Sequence, residues 1–429
     1  MSLLRYLSVS AIGLSLTLSG CKQNITPTSG YIFPAEFEKH SAIWMAWGTY
    51  DNKRGHSVHA VQSRIIAALH GHSPVKLIVQ DKNDELQART FLKQSGITLQ
   101  NLTFLHIPHN DVWVRDMGPI FTVDRQSKRM RLVDFNFNTW GYEKPTSAYS
   151  KRDEAVDSKL AKILRINEIS TPMISEGGNR EFNGLGTMIA SEVVERQRNP
   201  GMTKTQMEQV FRQTLGVKKV IWLQKGVVED DMTTDGPLPG GYYTVVTTGG
   251  HVDEYVRFAD RKTILLAEIT KEEIAKQSDS GLRSIMKETQ ARLQGNLKIL
   301  QAARDVDGQP FKIVRIPAPI LMTSTMAKGD GVFDYLSTLR FQKGGIRANQ
   351  PIKVVMASSY LNFLVTNGLV LMQTYALPGM PAWAKANEAR AKATLQKVFP
   401  GRRVVLIDAT AVNWGGGGIH CITQQQPAI

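Results

Sequence analysis

Short apolar runs alternate with longer amphipathic segments along most of this 429-residue chain. The short runs are rich in valine, isoleucine and leucine, as in strands, whereas the longer segments repeat apolar residues every three or four positions, as in helices. The runs predict strands at 42–46, 75–79, 120–123, 132–135, 244–248, 263–267, 312–316, 353–356 and 404–407, and the longer segments predict helices at 58–69, 83–94, 271–303 and 382–398. This alternation predicts an α/β protein. No linker rich in proline, glycine or serine divides residues 31–429, so we expect them to form a single domain.

Residues 1–20 form a separate segment, in which an apolar stretch follows Arg5 and ends in Leu18-Ser19-Gly20-Cys21. The stretch is shorter than the roughly 20 residues that a membrane-spanning helix needs, so it predicts a signal peptide. Its last four residues resemble a bacterial lipobox, which implies that Cys21 is lipidated and that residues 21–30 are a membrane tether. We expect a lipid-anchored protein of the Gram-negative cell envelope, at the outer membrane or the periplasmic face. A secreted or periplasmic protein that is cut elsewhere is the alternative.

The chain carries 52 lysines and arginines against 38 aspartates and glutamates, a formal charge of +14. The basic residues are scattered, and the one dense run, at 124–131, lies between two predicted strands, which indicates the solvated tip of a hairpin. We therefore expect no nucleic-acid partner, and the charge suits an anionic membrane surface. The two cysteines, Cys21 and Cys421, have such different sequence contexts that we expect no disulfide between them.

Four short segments combine glycine, which frees the backbone, with ionisable side chains. In the first, Asp116 is a candidate site residue, although it also suits a turn or an ion pair with Arg115. In the second, Glu176 precedes two glycines, which fits a side chain that faces a cavity and equally a surface turn. The segments are Asn110-Asp111-Val112-Trp113-Val114-Arg115-Asp116-Met117-Gly118-Pro119, Ser175-Glu176-Gly177-Gly178-Asn179, Gly249-Gly250-His251-Val252-Asp253-Glu254, and the run from Trp414 to Gln425.

The third segment places His251 and Asp253 two positions apart, after the predicted strand at 244–248. Residues with this spacing point the same way on an extended chain, so we expect both side chains at one site. A zinc pair is the competing interpretation. A zinc site needs further ligands, and the chain holds no second histidine-rich or paired-cysteine motif.

In the fourth segment, four consecutive glycines precede Ile419-His420-Cys421. A lone cysteine is more often a small buried apolar residue than a nucleophile. Here the glycines permit close approach of the backbone to whatever meets the sulfur. A nucleophilic thiol needs a lowered pKa or a paired base. Because neighbours point apart on an extended chain, His251 rather than His420 is the predicted proton-transfer partner.

Taken in order, the four segments resemble the agmatine deiminase and Porphyromonas-type peptidylarginine deiminase family, a branch of the guanidine-modifying enzymes. The resemblance implies a five-bladed, pseudo-symmetric α/β propeller of the pentein type, with the active site in its central channel. The matching motifs are Trp-Val-Arg-Asp-Met-Gly-Pro at 113–119, Glu-Gly-Gly-Asn at 176–179, His-Val-Asp-Glu at 251–254, Ser-Tyr-Leu-Asn-Phe at 359–363 and Gly-Gly-Gly-Ile-His-Cys at 416–421.

The resemblance also implies a role for each matched residue. Cys421 is the implied nucleophile, His251 the implied general acid and base, and Asp116 and Asp253 the implied holders of the guanidinium. A planar cation rich in donors calls for such paired carboxylate acceptors. The expected reaction converts agmatine to N-carbamoylputrescine and ammonia through a covalent thiouronium, without a metal or other cofactor. The sequence leaves open whether the protein forms a homo-oligomer. The candidate substrate-binding residues are Glu176, Trp113, Asn179 and Asp235.

Three features depart from the family pattern: the envelope leader, Trp47-Gly48 in place of Trp-Pro, and residues 237–249, which separate Met232-Thr233-Thr234-Asp235-Gly236 from the histidine. We predict that 237–249 form a hairpin over the channel mouth that admits a substrate larger than agmatine. Peptidylarginine deimination is therefore the alternative activity. A non-catalytic, guanidine-binding envelope lipoprotein and a cysteine protease are alternatives of other classes.

Overall fold

The computed structural model describes residues 30–49, 52–53 and 55–429. The predicted signal peptide, Cys21 and nearly all of the predicted tether lie outside the described residues. In the described part of the chain, no helix combines the length and the apolar character that crossing a membrane requires.

The strands of the described residues are short. They are β1 (Tyr31–Ile32), β2 (His40–Ala46), β3 (Asn52–Lys53), β4 (His56–Ser57), β5 (Val75–Val79), β6 (Leu102–His106), β7 (Ile120–Asp124), β8 (Arg129–Asn136), β9 (Asn167–Ile174), β10 (Arg180–Phe182), β11 (Thr187–Ser191), β12 (Lys219–Leu223), β13 (Tyr242–Thr244), β14 (Val256–Phe258), β15 (Thr263–Glu268), β16 (Lys312–Pro317), β17 (Thr323–Met326), β18 (Ile352–Val355), β19 (Leu364–Thr366), β20 (Leu369–Gln373), β21 (Arg403–Ile407) and β22 (Gln424–Pro427).

The α-helices connect these strands. They are α1 (Val58–Leu69), α2 (Lys82–Gln94), α3 (Val114–Met117), α4 (Ala148–Leu164), α5 (Glu192–Arg198), α6 (Lys204–Leu215), α7 (Lys271–Lys276), α8 (Ser280–Ala302), α9 (Gly331–Thr338), α10 (Ala382–Val398) and α11 (Thr410–Asn413). Short 3-10 helices lie at Thr139–Gly141, Gly177–Asn179, Val228–Asp230, Thr233–Asp235, Pro239–Gly241 and Val252–Glu254.

Five sheets in the described part of the chain share one plan, in which an antiparallel pair is followed by a parallel third strand. Their cores are β22-β2-β5, β7-β8-β9, β10-β11-β12, β14-β15-β16 and β19-β20-β21. In each sheet, helix lies between the second and third strands along the chain, as a parallel crossover requires. Because β22 pairs with β2, the C-terminal strand completes the N-terminal sheet.

A further sheet, β13-β18-β17, does not follow this plan. It contains the segment at 237–249, for which the predicted hairpin is wrong. A turn closed by the pairing of Leu238 with Tyr242 leads into the single strand β13, which runs parallel to β18. The predicted strand at 244–248 is also wrong beyond Thr244. The backbone N–H groups of Thr247 and Thr248 donate to side-chain oxygens, the Tyr142 hydroxyl and the Asp230 carboxylate, instead of a neighbouring strand.

Helix capping explains one further difference from the predicted elements. The predicted helix at 271–303 is two helices, because Asp279 accepts a hydrogen bond from the Leu282 N–H and starts α8 afresh after α7. The other predicted strands and helices are present, with ends that shift by at most three residues. The basic run at 124–131 is confirmed as a hairpin tip, since β7 and β8 pair antiparallel around exposed residues 125–128.

The first strands of the five similar sheets fix where the chemistry lies. Each is preceded by a loop or a short helical turn with a buried polar side chain: Asp116 before β7, Glu176 before β10, Asp253 before β14, Asn362 before β19 and Cys421 before β22. The repeated plan therefore presents one functional candidate from each sheet.

Candidate active site

Three predicted side chains meet around Gly178. A Cβ atom at this glycine would lie 2.5 Å from Nδ1 of His251, 3.1 Å from Oδ2 of Asp253 and 3.2 Å from Oδ1 of Asp116. A distance of 2.5 Å is far inside van der Waals contact, so only glycine leaves room for the three groups. The structure thus brings together residues from the first, second and third motifs.

His251 and Asp253 converge for a different reason from the extended-strand argument. His251 caps the 3-10 helix Val252–Glu254, and Asp253 lies within it, so the segment is not extended. The loop is held by Asp230, whose carboxylate accepts from the N–H groups of Thr248, Gly250 and His251 at 2.9 to 3.0 Å. No sequence motif pointed to Asp230.

Cys421 is buried, with 4% of its surface exposed. The Asn362 amide Nδ2 donates to its sulfur at 3.0 Å, and the sulfur lies 3.7 Å from Oδ2 of Asp253. Burial and the carboxylates of Asp253, Glu254 and Asp116 raise the pKa of the thiol well above its usual value. Without a bound cation the sulfur is therefore a thiol and not a thiolate.

Carboxylates also hold His251 in its protonated form. Its Nδ1 lies 3.8 Å from Oδ2 of Asp116, and its Nε2 lies 3.5 Å from Oε2 of Glu176. Burial alone lowers the pKa of His251, but Asp116, Glu176 and Asp253 outweigh it and raise the pKa to about 9. The ring is an imidazolium at neutral pH, ready to donate a proton.

Glu176 lies behind His251 and does not line the cavity. Its Oε1 accepts from Nε of Arg198 at 2.6 Å, and both side chains are fully buried. Burial raises the pKa of Glu176, but Arg198 and His251 outweigh it and lower the pKa to about 2. Asn179, another predicted binding residue, is also behind the site, where its amide donates to the carbonyl of Ser191 and to Glu195.

Asp116 is held by two donors, the Gly178 N–H and the Trp140 indole N–H, each at 2.9 Å. Trp140 has a left-handed backbone, with φ of 54°, which is uncommon for a bulky residue and costs about 1 kcal/mol or more. Burial raises the pKa of Asp116, and the neighbouring carboxylates of Glu176 and Asp253 raise it further. His251 acts in the opposite direction, but the pKa remains above its usual value.

A chain of buried ionisable groups holds Asp253 in place. His420 lies with Nδ1 2.7 Å from Oδ2 of Asp253 and with Nε2 2.8 Å from Oε1 of Glu36. Glu36 in turn pairs with Arg115 at 2.7 Å and with Arg257 at 2.5 Å. Burial raises the pKa of Asp253, but His420 lowers it below the usual value, so this carboxylate stays ionised. Sequence reasoning missed Glu36, because its partners lie far away along the chain.

A cavity of about 280 Å³ opens onto Cys421, Asp116 and Trp113. Residues 246–248, which were predicted as strand but do not form one, are part of the cavity wall. Gly416 packs closely against this wall, since a Cβ atom there would lie 1.7 Å from the Val246 carbonyl oxygen. The remaining predicted residue, Asp235, is exposed and outside the cavity, and it accepts from Gln342 at 3.0 Å. The aromatic lining consists of Trp113, Trp140, Trp414, Tyr142, Tyr149 and Tyr335.

The geometry does not favour the zinc interpretation. Near the site, the described groups whose ligand atoms could share an ion are Asp253, Glu254 and Cys421, and they do not include His251. The arrangement instead suits an organic cation next to a thiol and a protonated imidazole.

Comparison with known proteins gives matches along nearly the whole chain. Residues 32–427 match the sequence profile of the Porphyromonas-type peptidyl-arginine deiminase family. An agmatine deiminase of Pseudomonas aeruginosa (strain LESB58) is 31% identical over 406 residues, which cover 93% of this chain and 96% of that protein. An agmatine deiminase of Medicago truncatula is 31% identical over 421 residues, which cover 94% and 98%. The solved agmatine deiminase of Enterococcus faecalis has the same fold, with a TM-score of 0.73 at 25% identity, covering 93% of this chain and 96% of that one.

Proposed function

The chain belongs to the Porphyromonas-type peptidyl-arginine deiminase family, and we propose that it hydrolyses the guanidinium of agmatine to a ureido group and ammonia. One observation carries this proposal: a thiol and a carboxylate line a small cavity with an aromatic wall, and a protonated imidazole and a second carboxylate adjoin them around Gly178. A guanidinium matches those carboxylates in charge and in donor geometry.

Substrate binding prepares the thiol for attack. The guanidinium lies between Asp116 and Asp253, and its positive charge offsets the carboxylates that hold the thiol of Cys421 protonated. The pKa of the thiol falls, and its proton leaves by way of Asp253, 3.7 Å away. The dependence on a cation restricts thiolate formation to the complex with substrate.

The chemistry proceeds in two halves. The sulfur of Cys421 adds to the guanidinium carbon, and His251 donates its proton to the departing nitrogen, which leaves as ammonia. A thiouronium joins the substrate to the sulfur. His251, now neutral, takes a proton from water, and the resulting hydroxide attacks the same carbon. Collapse of this adduct expels the thiolate, forms the carbonyl of the ureido product and releases the proton that restores the thiol.

The cavity supports a small substrate. Its volume of about 280 Å³ lies at the lower end of the range for small-molecule sites, and Tyr149 of α4 and Tyr335 of α9 narrow it from two sides. Peptidyl arginine is the second candidate. The wall at 246–248 and the additional sheet favour this candidate, because they are not part of the five repeated sheets and residues 246–248 line the cavity.

The test is product release by the full-length protein from agmatine, free arginine and a peptide with an internal arginine, beside the Cys421→Ala variant. Ammonia and a ureido product from agmatine, lost in the variant, are the expected results. Turnover of the peptide in preference to agmatine would assign protein citrullination instead. Binding of guanidines without any product would assign a non-catalytic binding protein.

We also infer that the five similar sheets are blades of one propeller-like domain over 31–429, with the cavity at its centre. Two observations support this arrangement: β22 closes the first sheet from the other end of the chain, and a site residue precedes the first strand of each sheet.

We propose that the protein is anchored in the cell envelope through a lipid on Cys21. The support is the apolar leader and its Leu18-Ser19-Gly20-Cys21 end. Partition into a detergent phase, lost in Cys21→Ala, is the expected result. An unmodified Cys21 in the mature protein would refute the anchor.

A further inference from the structure

A second group of carboxylates lies away from the active site, between α4 and the sheet that contains β8 and β9. Asp134 of β8 pairs with Ser170 of β9, and Leu132 pairs with Glu168. Alternate residues of a strand, and the partners opposite them, share one face of the sheet. Leu132 packs with apolar residues of α4, so Asp134 and Glu168 face that helix, where Asp157 meets them.

These three residues, Asp134, Asp157 and Glu168, form the acidic cluster. Each contributes one carboxylate oxygen to a group in which all three atoms lie within 4.8 Å of one another. Asp134 and Asp157 are 5% and 4% exposed, whereas Glu168 is half-buried at the open edge. Among the ion pairs of the described residues, none involves this cluster.

One atom of the cluster lacks any protein partner. Oδ1 of Asp134 is fully buried and accepts no hydrogen bond within the described residues. A buried carboxylate oxygen without a donor is costly, and neighbouring anions add repulsion. Glu154 also faces the group, and Lys159 acts on Glu154. The cluster therefore needs a positive charge from outside the protein, either as protons or as a metal ion.

Protons are one source of that charge. Burial raises the pKa of Asp134, and burial together with Asp134 raises the pKa of Asp157 well above its usual value. In acid, protonation removes the repulsion between the carboxylates. As the pH rises and all the carboxyls ionise, this repulsion returns.

We propose that the acidic cluster binds a divalent cation of the Ca²⁺ class. The donors are carboxylate oxygens, the ligands that hard cations prefer, with no sulfur or imidazole among them. The hydroxyls of Ser158, which donates to Glu168, and Ser170 lie beside them, and the open edge leaves room for water ligands. Variable coordination by carboxylates and water suits Ca²⁺ better than Mg²⁺, which demands a near-ideal octahedron.

The position of the cluster links it to the active-site cavity through α4. Tyr149, near the start of α4, lines the cavity, and Asp153, one turn further, accepts from the Asn110 N–H at 2.7 Å. Asp157 follows one turn after that. A cation that draws Asp157 towards β8 and β9 therefore stabilises the helix that forms one cavity wall. The binding itself does not depend on the proposed enzymatic function.

The experiment is calorimetric titration of the full-length protein with Ca²⁺, Mg²⁺ and Mn²⁺ at pH 8 after treatment with a chelator. Thermal unfolding with and without each metal is recorded beside it. Asp157→Asn tests the cluster, and Asp307→Asn, which removes one exposed carboxylate elsewhere, is the matched control. The wild type and the control are expected to bind one Ca²⁺ and to melt at least about 2 °C higher in excess Ca²⁺.

Asp157→Asn is expected to lose both responses and, in chelator at pH 8, to melt above the wild type, because it relieves the repulsion. No heat and no melting shift with any of the three metals would overturn the proposal. That result, together with wild-type stability that falls as the pH rises from 5 to 8, would assign protons to the cluster. A Ca²⁺ response that Asp157→Asn retains would place the ion elsewhere and also refute the site.

Discussion

Gly178→Ala should damage catalysis as well as stability, because the added methyl group meets the reacting side chains. The new Cβ would lie 2.5 Å from Nδ1 of His251, whereas ordinary contact begins at about 3.5 Å, so the imidazole must retreat by about 1 Å. A displacement of this size at a catalytic group costs about 100-fold in rate. That factor corresponds to about 2.7 kcal/mol of transition-state stabilisation.

The assay for this prediction is ammonia release from agmatine across a substrate range at pH 7.5, together with chemical denaturation. We expect kcat/KM to fall at least about 100-fold, while overpacking lowers the free energy of unfolding by about 1–3 kcal/mol. Gly295→Ala is the matched control, since its Cβ meets nothing within 4 Å on α8 and should leave activity unchanged. A Gly178→Ala enzyme with more than a third of wild-type kcat/KM would refute the packing argument.

Further predictions address the thiol, its support, the proton donor and the excluded residue. Cys421→Ser should reduce turnover below detection in the same assay with binding retained, and measurable turnover would remove the sulfur from the mechanism. Asn362→Leu, which removes the donor 3.0 Å from that sulfur, should lower kcat about 10- to 100-fold with little effect on KM; an effect on KM alone would contradict this role. Because His251 must be protonated and its pKa is raised to about 9, kcat/KM should fall as the pH rises through about 9, whereas a rise there would mean that thiol ionisation limits the rate. Protonated His251 also stabilises the fold, and this contribution is complete below about pH 6.5. It should be lost as the pH rises through about 9. The free energy of unfolding of His251→Gln, measured by denaturation, should therefore depend less on pH in this window than that of the wild type. Asp235→Asn should change kcat/KM less than twofold, since this residue lies outside the cavity, and a larger change would return it to the site.

The sequence alone determined part of the local structure. Apolar periodicity located helices such as α1 and α10, and strands such as β5, because a buried face imposes its period on the residues that form it. It failed at Thr247 and Thr248, whose apolar surroundings suggested a strand. Their backbone groups bond to Tyr142 and Asp230 instead, and no local pattern records a partner that is remote in sequence.

The sequence also determined which residue types carry the chemistry. Cys421, His251, Asp116 and Asp253 stand near glycines because the groups must approach one another closely. The structure brings the last three together around Gly178 and places the sulfur of Cys421 3.7 Å from Asp253. Only the tertiary structure decided their protonation. The pKa values of the thiol and the imidazole both rise because several carboxylates act on them, so the thiol stays neutral whereas the imidazole carries a positive charge.

The tertiary structure alone also decided the supporting residues. Glu36 and Asp230 carry no motif, and each acts through partners from distant segments. It likewise separated Asp235 from the site, although the motif of this residue lies close to the histidine in sequence. Sequence fixes what each side chain can do and which short segments are regular. Charge, orientation and proton affinity depend on neighbours that long-range folding supplies, so they emerge only in the folded structure.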